Sequence, residues 1–232
     1  MQSGPQNRGT GQAHRQVASS ADALDCDRPA GAVEDVVAVG GLEIRMLRPR
    51  NSEELLDEDA FEHEEFLPYW AELWPSSRAL ARAIAVRALR GRRTLELGCG
   101  LGLPSIAAAM AGGRVTASDW SPESVQYTAI NARHNGIRLE TVICSWARPE
   151  PLSERAPWDL VIASDVLYER RNVEQLLDLL PRLVTSGEVW IADPGRPNAD
   201  SFFERAREQW IVEESRDPEQ PVTVHRLRRI SA

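Results

Sequence analysis

The chain of 232 residues predicts an α/β fold, with one mostly parallel sheet and helices on both faces. Three observations carry that expectation. Short apolar runs alternate with helix-length segments from about residue 76 onward. A glycine-rich turn stands where the first of those runs passes into a helix. The last two runs lie too close together for a crossover helix and should pair antiparallel.

Residues 1–33 are rich in Gly, Gln, Ser, Ala and Arg with little apolar periodicity, and read as a disordered leader. Residues 34–67 read as a β-hairpin and an acidic connector. The runs 36–39 and 42–46 flank Gly40-Gly41, which supplies the positive φ of a tight turn. An acidic loop or irregular helix follows from Glu53 to Glu65. The main domain spans 68–232. Ser76 or Ser77 can cap a helix reaching about Arg90, with Leu80, Ile84 and Leu89 on its apolar side. Strands are expected at 94–97, 115–118, 141–144, 160–163 and 189–192, and helices at 104–111, 122–134, 173–183 and 201–209. The closing strands are 210–213 and 222–227.

The 27 Lys and Arg against 35 Asp and Glu give a net charge of −8, which argues against nucleic acid as a partner, since such binding uses cations to neutralise phosphates. Arg87, Arg90, Arg92 and Arg93 cluster, but read as a solvated helix end. No apolar run approaches the ~20 residues that span a bilayer, so no membrane partner is expected. The polar N-terminus lacks a signal-like stretch, and the expected location is cytoplasmic. Cys26, Cys99 and Cys144 are odd in number and widely spaced, which suits neither a disulfide framework nor zinc. His63 and His134 are not convincing ligands or bases, and no metal site is evident.

The chemistry concentrates at strand ends. In Glu96-Leu97-Gly98-Cys99-Gly100-Leu101-Gly102, Gly98, Gly100 and Gly102 let the backbone turn sharply and approach a ligand. Their GxGxG spacing departs from the GxGxxG of dinucleotide sites. Glu96 would repel a pyrophosphate but suit a positively charged group, such as the amino group of a methionine moiety. Asp119, one helix and one strand later, suits both hydroxyls of a ribose, or the start of the helix after Ser121-Pro122. Trp120 either stacks on an adenine or packs in the core.

The Glu96–Gly102 turn with Asp119 resembles the cofactor motifs of class I, seven-β-strand S-adenosylmethionine methyltransferases. Pro68-Tyr69-Trp70-Ala71-Glu72-Leu73-Trp74-Pro75, Ser164-Asp165-Val166-Leu167-Tyr168 and Asp193-Pro194-Gly195-Arg196-Pro197 are similar to motifs of the protein-lysine methyltransferase group with a DxxY signature. Within it, the likeness is to the electron transfer flavoprotein β-subunit lysine methyltransferases and their bacterial relatives. The resemblance covers about residue 36 to the end. It implies a Rossmann-like sheet of seven strands with a reversed C-terminal hairpin, S-adenosyl-L-methionine as cofactor and a lysine of a protein substrate as methyl acceptor. It places Trp74 over the cofactor, and Ser164, Asp165 and Tyr168 beside the transferable methyl. Ser145-Trp146 stands where relatives carry an acid-Trp pair against the adenine, and here the charge is missing.

Asp165 then orients the incoming amine and Tyr168 lines its channel; a helix cap and a packed ring are the plain alternatives. Arg196 either meets an acidic substrate patch or belongs to a simple turn, and Glu72 can face the site. A small-molecule amine as acceptor, and a non-catalytic cofactor-binding module, remain open alternatives.

Overall fold

A computed structural model describes residues 28–50 and 68–230. The first 27 residues of the expected leader, with Cys26, and the acidic connector, with His63, lie outside the described residues. The hairpin consists of β1 (Val33–Val39) and β2 (Leu42–Arg48), which pair antiparallel across Gly40-Gly41 as a separate two-stranded sheet.

From residue 68 the chain runs through a short 3-10 turn (Tyr69–Ala71), α1 (Pro75–Ala85), β3 (Arg93–Leu97), α2 (Leu103–Met110), β4 (Arg114–Asp119), α3 (Pro122–His134) and β5 (Glu140–Ile143). It continues through α4 (Glu150–Ser153), β6 (Leu160–Ser164), α5 (Arg170–Leu183), β7 (Glu188–Asp193), α6 (Ala199–Ala206), β8 (Trp210–Arg216) and β9 (Thr223–Arg229). The seven-stranded sheet has the order β5-β4-β3-β6-β7-β9-β8. β3 to β7 are parallel and the β8–β9 hairpin returns antiparallel.

The central strands are apolar on both faces, as strands covered on both sides must be. Leu95, Leu97, Val161 and Ala163 pack under α5 and α6, where Leu176, Leu179, Leu180 and Leu183 form one apolar stripe. Leu160, Ile162 and Trp190 face Leu80 and Ile84 of α1 on the other side. The β1–β2 hairpin docks on α3 by side-chain amides that replace a strand partner. Asn131 accepts from Leu47 N at 2.7 Å and donates to Leu47 O and Leu101 O, both at 3.0 Å. Asn135, one turn on, brackets Arg45 in the same way.

Two local expectations are corrected. α1 starts at Pro75 with Trp74 as its cap residue, because proline at the first helical position needs no N–H partner. Ser76 is buried and Ser77 donates to Trp74 O at 2.8 Å, so neither serine caps. The helix also ends at Ala85, short of the arginine cluster. Those arginines stitch the amino edge of the sheet: Arg87 lies 5.1 Å over the Trp190 ring, Arg93 lies 4.9 Å over Trp158 and donates to Pro157 O. Arg92 donates to Asp159 O at 2.7 Å.

His225 on β9 is buried and stacked on Phe203 with ring centroids 3.6 Å apart. Burial lowers its pKa from 6.5 to about 4, so the folded state holds it neutral while the unfolded chain binds a proton below about 6.5. Its contribution is present above pH 6.5 and is lost progressively as the pH falls towards 4. Thermal melts from pH 7.5 to 4.5 should therefore show the wild type losing stability relative to His225→Phe on acidification; a difference that stays constant with pH would contradict this.

Candidate active site

The parallel strands end on one edge, and the backbone carries the ladder into the loops beyond it: Cys99 N donates to Ser118 O at 3.0 Å, Cys144 N to Asp119 O at 2.8 Å and Asp165 N to Ala192 O at 2.9 Å. These loops surround a cavity of about 710 Å³. Its wall includes Trp74, Gly98, Gly100, Gly102, Asp119, Trp120, Ser145, Trp146, Ser164, Asp165 and Tyr168, which brings together eleven of the positions marked in the sequence.

The glycine turn is held tightly. Gly100 has φ +54°, and a Cβ there would lie 3.3 Å from Trp70 O. Asp119 fastens the turn to the end of β4: Gly100 N donates to its Oδ2 at 3.0 Å and Ser121 N to its Oδ1 at 3.1 Å. Burial raises the pKa of this carboxyl above the usual range. Ser121, not Asp119, caps α3, accepting from Ser124 N at 3.2 Å. Asp119 still lines the cavity, and a carboxylate offers about four lone-pair positions in all.

Glu96 is placed elsewhere. It is fully buried under the turn, where its Oε2 accepts from Ser105 N at 2.9 Å and from the Ser105 hydroxyl, and it is not part of the cavity wall. Burial pushes its pKa up to about 8, so at neutral pH it is a protonated acid rather than the anion expected from the sequence.

Opposite the turn, Trp120 is 47% exposed, which removes it from the core. Trp146 approaches the turn from the other side, its ring 3.7 Å from where a Cβ on Gly98 would lie. Ser145 is exposed on the rim after β5 and accepts from Ala147 N at 3.4 Å.

At the far end, β6 delivers Ser164 and Asp165. Among the described residues Asp165 is the non-glycine with positive φ, +57°. Such strain costs on the order of 1–3 kcal/mol and persists where surroundings over-determine it. Here Arg196 Nε donates to Asp165 Oδ1 at 2.7 Å, and the Asp165 side chain is 8% exposed. Arg196 is fixed in turn: Gly195 N and Arg196 N donate to Asp193 Oδ1 at 2.7 and 2.8 Å, and the guanidinium lies 5.9 Å from the Trp74 ring centre. Trp74 donates to Tyr69 O at 2.7 Å, and the Tyr69 and Tyr168 rings tilt together at 5.9 Å. Tyr168 is 39% exposed, and burial of its hydroxyl raises its pKa.

Sequence reasoning missed the Arg196–Asp165 pair, the ring of Tyr69 and the contribution of α5, whose Asn172 donates to Val166 O at 3.0 Å and fixes the loop after β6. Tyr69 stood inside a quoted motif without a role; for Asn172 no signal existed. No candidate metal cluster occurs among the described residues, and no helix among them is long and apolar enough to cross a membrane.

The chain is similar to known proteins. The profile of the lysine methyltransferase family matches residues 69–209. The electron transfer flavoprotein beta subunit lysine methyltransferase of Xenopus laevis is 34% identical over 144 residues, covering 58% of this chain and 55% of that protein. A histone-arginine methyltransferase of Xenopus laevis is 32% identical over 115 residues, 47% of this chain and 49% of that one. The chain thus spans about half the length of these curated relatives. Among solved structures, a 16S rRNA methyltransferase in complex with AdoMet and guanosine shares the fold, with TM-score 0.65 and 16% identity over 87% of this chain and 52% of that one. With the profile covering most of the chain and the glycine turn, Asp119 and Asp165 meeting at one cavity, this chain belongs to the lysine methyltransferase family.

Proposed function

We propose that this chain transfers a methyl group from S-adenosyl-L-methionine to the side-chain amine of a lysine in a protein. The observation that carries the reading is the strained Asp165, presented at the end of β6 in the wall of the cavity that Tyr69, Trp74 and Tyr168 also line.

The residues fit the cofactor. The cavity volume lies within the range of small-molecule sites. Asp119 would accept the ribose hydroxyls, Trp120 and Trp146 would flank the adenine with Ser145 at its edge, and the turn Gly98–Gly102 would admit the amino-acid part against bare backbone. Trp74 would close over it. Glu96 supports the turn from below rather than touching the ligand. When bound, the cofactor supplies an electrophilic methyl on a positively charged sulfur.

The chain's own task is alignment and protonation control. An in-line displacement gains mainly from holding the reacting atoms in register. The amine nitrogen must also arrive with its lone pair, although lysine has a pKa near 10.4. In the transfer the lone pair would form the new bond to the methyl carbon while sulfur keeps the electrons of the old one, and the methylammonium so formed would give its proton to water. Asp165 would accept from the amine N–H groups and point the lone pair at the methyl, with Ser164 at its back. Tyr168, kept neutral by burial, would line the channel without adding charge. A protein substrate, with neither nucleic acid nor membrane as partner, agrees with the acidic balance of the chain. A cytoplasmic location agrees with the buried free thiols Cys99 and Cys144.

The test is to incubate the purified protein with tritiated S-adenosylmethionine and a lysate of its host, then resolve products by gel and by small-molecule chromatography. A labelled protein band supports the reading. Label confined to low-mass material would replace it with a small-molecule methyltransferase.

A further inference from the structure

Asp165 presents a chemical problem. A bare carboxylate is the best partner for an ammonium ion, and an ammonium has no lone pair. A site built from Asp165 alone would collect the unreactive form of its substrate. The fold places a permanent cation against it: Arg196 Nε at 2.7 Å, on a side chain held at its backbone by Asp193 and at its tip by the face of Trp74. A guanidinium stays charged under all working conditions. Its Nε takes one of about four lone-pair positions of the carboxylate, leaving acceptors for another donor.

We propose that Arg196 is the positioning residue that cancels the charge of Asp165, so that the acceptor nitrogen is received and oriented as a neutral amine rather than trapped as an ammonium ion. This rests on the reading of the site as an amine methyltransferase. Arg196 and the acceptor are then rival cations at one carboxylate, and the resident one is covalently fixed.

The other charged groups around the pair do not perform this task. Asp193 spends Oδ1 on two backbone donors, and burial raises its pKa. Glu169, after β6, is ion-paired with Arg171 of α5. Glu72 is exposed on the mouth, and Asp119 lies across the cavity with both oxygens bonded to backbone N–H groups. Tyr69 and Tyr168 line the same cavity. Arg196 is the cation within ion-pair distance of Asp165 among the described residues.

Butylamine, a surrogate for the lysine side chain, tests this without turnover. It is titrated calorimetrically at pH 8 into protein loaded with S-adenosylhomocysteine, in two buffers of different ionisation heat, which counts protons released per amine bound. Wild type should release close to one proton. Arg196→Gln should release far fewer and bind butylammonium about tenfold more tightly, while Arg196→Lys should restore the wild-type proton count. In turnover with S-adenosylmethionine, the rising limb of the pH–rate profile should move to higher pH in Arg196→Gln and return in Arg196→Lys. An equal proton count in all three proteins, or a rate loss without movement of the pH profile, would overturn the role of Arg196. Absence of methyl transfer to any amine by the wild type would instead overturn the reading beneath it.

Discussion

Replacing Asp165 with asparagine is expected to lower methyl transfer by on the order of 10²-fold or more while leaving the fold and cofactor affinity nearly unchanged. Asparagine accepts the positive φ of +57° about as readily as aspartate, so the backbone at the end of β6 stays where Asp165 N meets Ala192 O. What changes is the carboxylate that receives Arg196 and would receive the amine. Alanine is the harsher replacement, because a left-handed conformation then adds roughly 1–2 kcal/mol of strain. Single-turnover rates, with cofactor affinity by calorimetry, separate the two effects. Asp165→Asn that transfers at the wild-type rate would show that the strained residue is structural only.

The second large effect is expected at Gly102. Its φ of +85° forms the cap of α2, and a Cβ there would stand 2.7 Å from Thr128 Cγ2 and 2.8 Å from its Oγ1. Thr128 is fully buried and donates to Gly100 O at 2.9 Å, so it has nowhere to retreat without releasing the turn. Gly102→Ala should therefore destabilise the protein by roughly 2–4 kcal/mol, from left-handed strain together with overpacking. Cofactor affinity should fall with it, since the same turn forms the cavity wall. Denaturant melts should show a lower midpoint at an unchanged slope. Adding Thr128→Ala should recover part of the loss by removing the clash, whereas the conformational strain would remain. Full stability in the single variant would mean that the turn is not held as described.

The central strands were readable because they are short apolar runs with both faces covered, and the turn because three glycines in five residues have few other uses. The antiparallel closing hairpin was legible in the spacing of the last two runs, whereas the sheet of seven strands was expected from the family resemblance. Glu96 shows the limit of that reading. Its neighbours Leu95 and Leu97 face α5, so Glu96 must face α2, and the face it occupies is dry. A sequence shows that a charge sits in a strand, but not whether water reaches it. The Arg196–Asp165 pair was hidden for a different reason: the partners are separated by 31 positions and meet only because β6 and β7 are neighbours in the sheet. Trp120 could be assigned to the core or to a ligand from its position alone, and its exposure excludes the core.

The most direct measurement is tandem mass spectrometry of the host protein labelled by this chain in the presence of S-adenosylmethionine, with Asp165→Asn run alongside. The account predicts added methyl groups on lysine side chains, lost with the variant. Methyl groups on arginine, histidine or a carboxylate, or an undiminished lysine signal from Asp165→Asn, would contradict it.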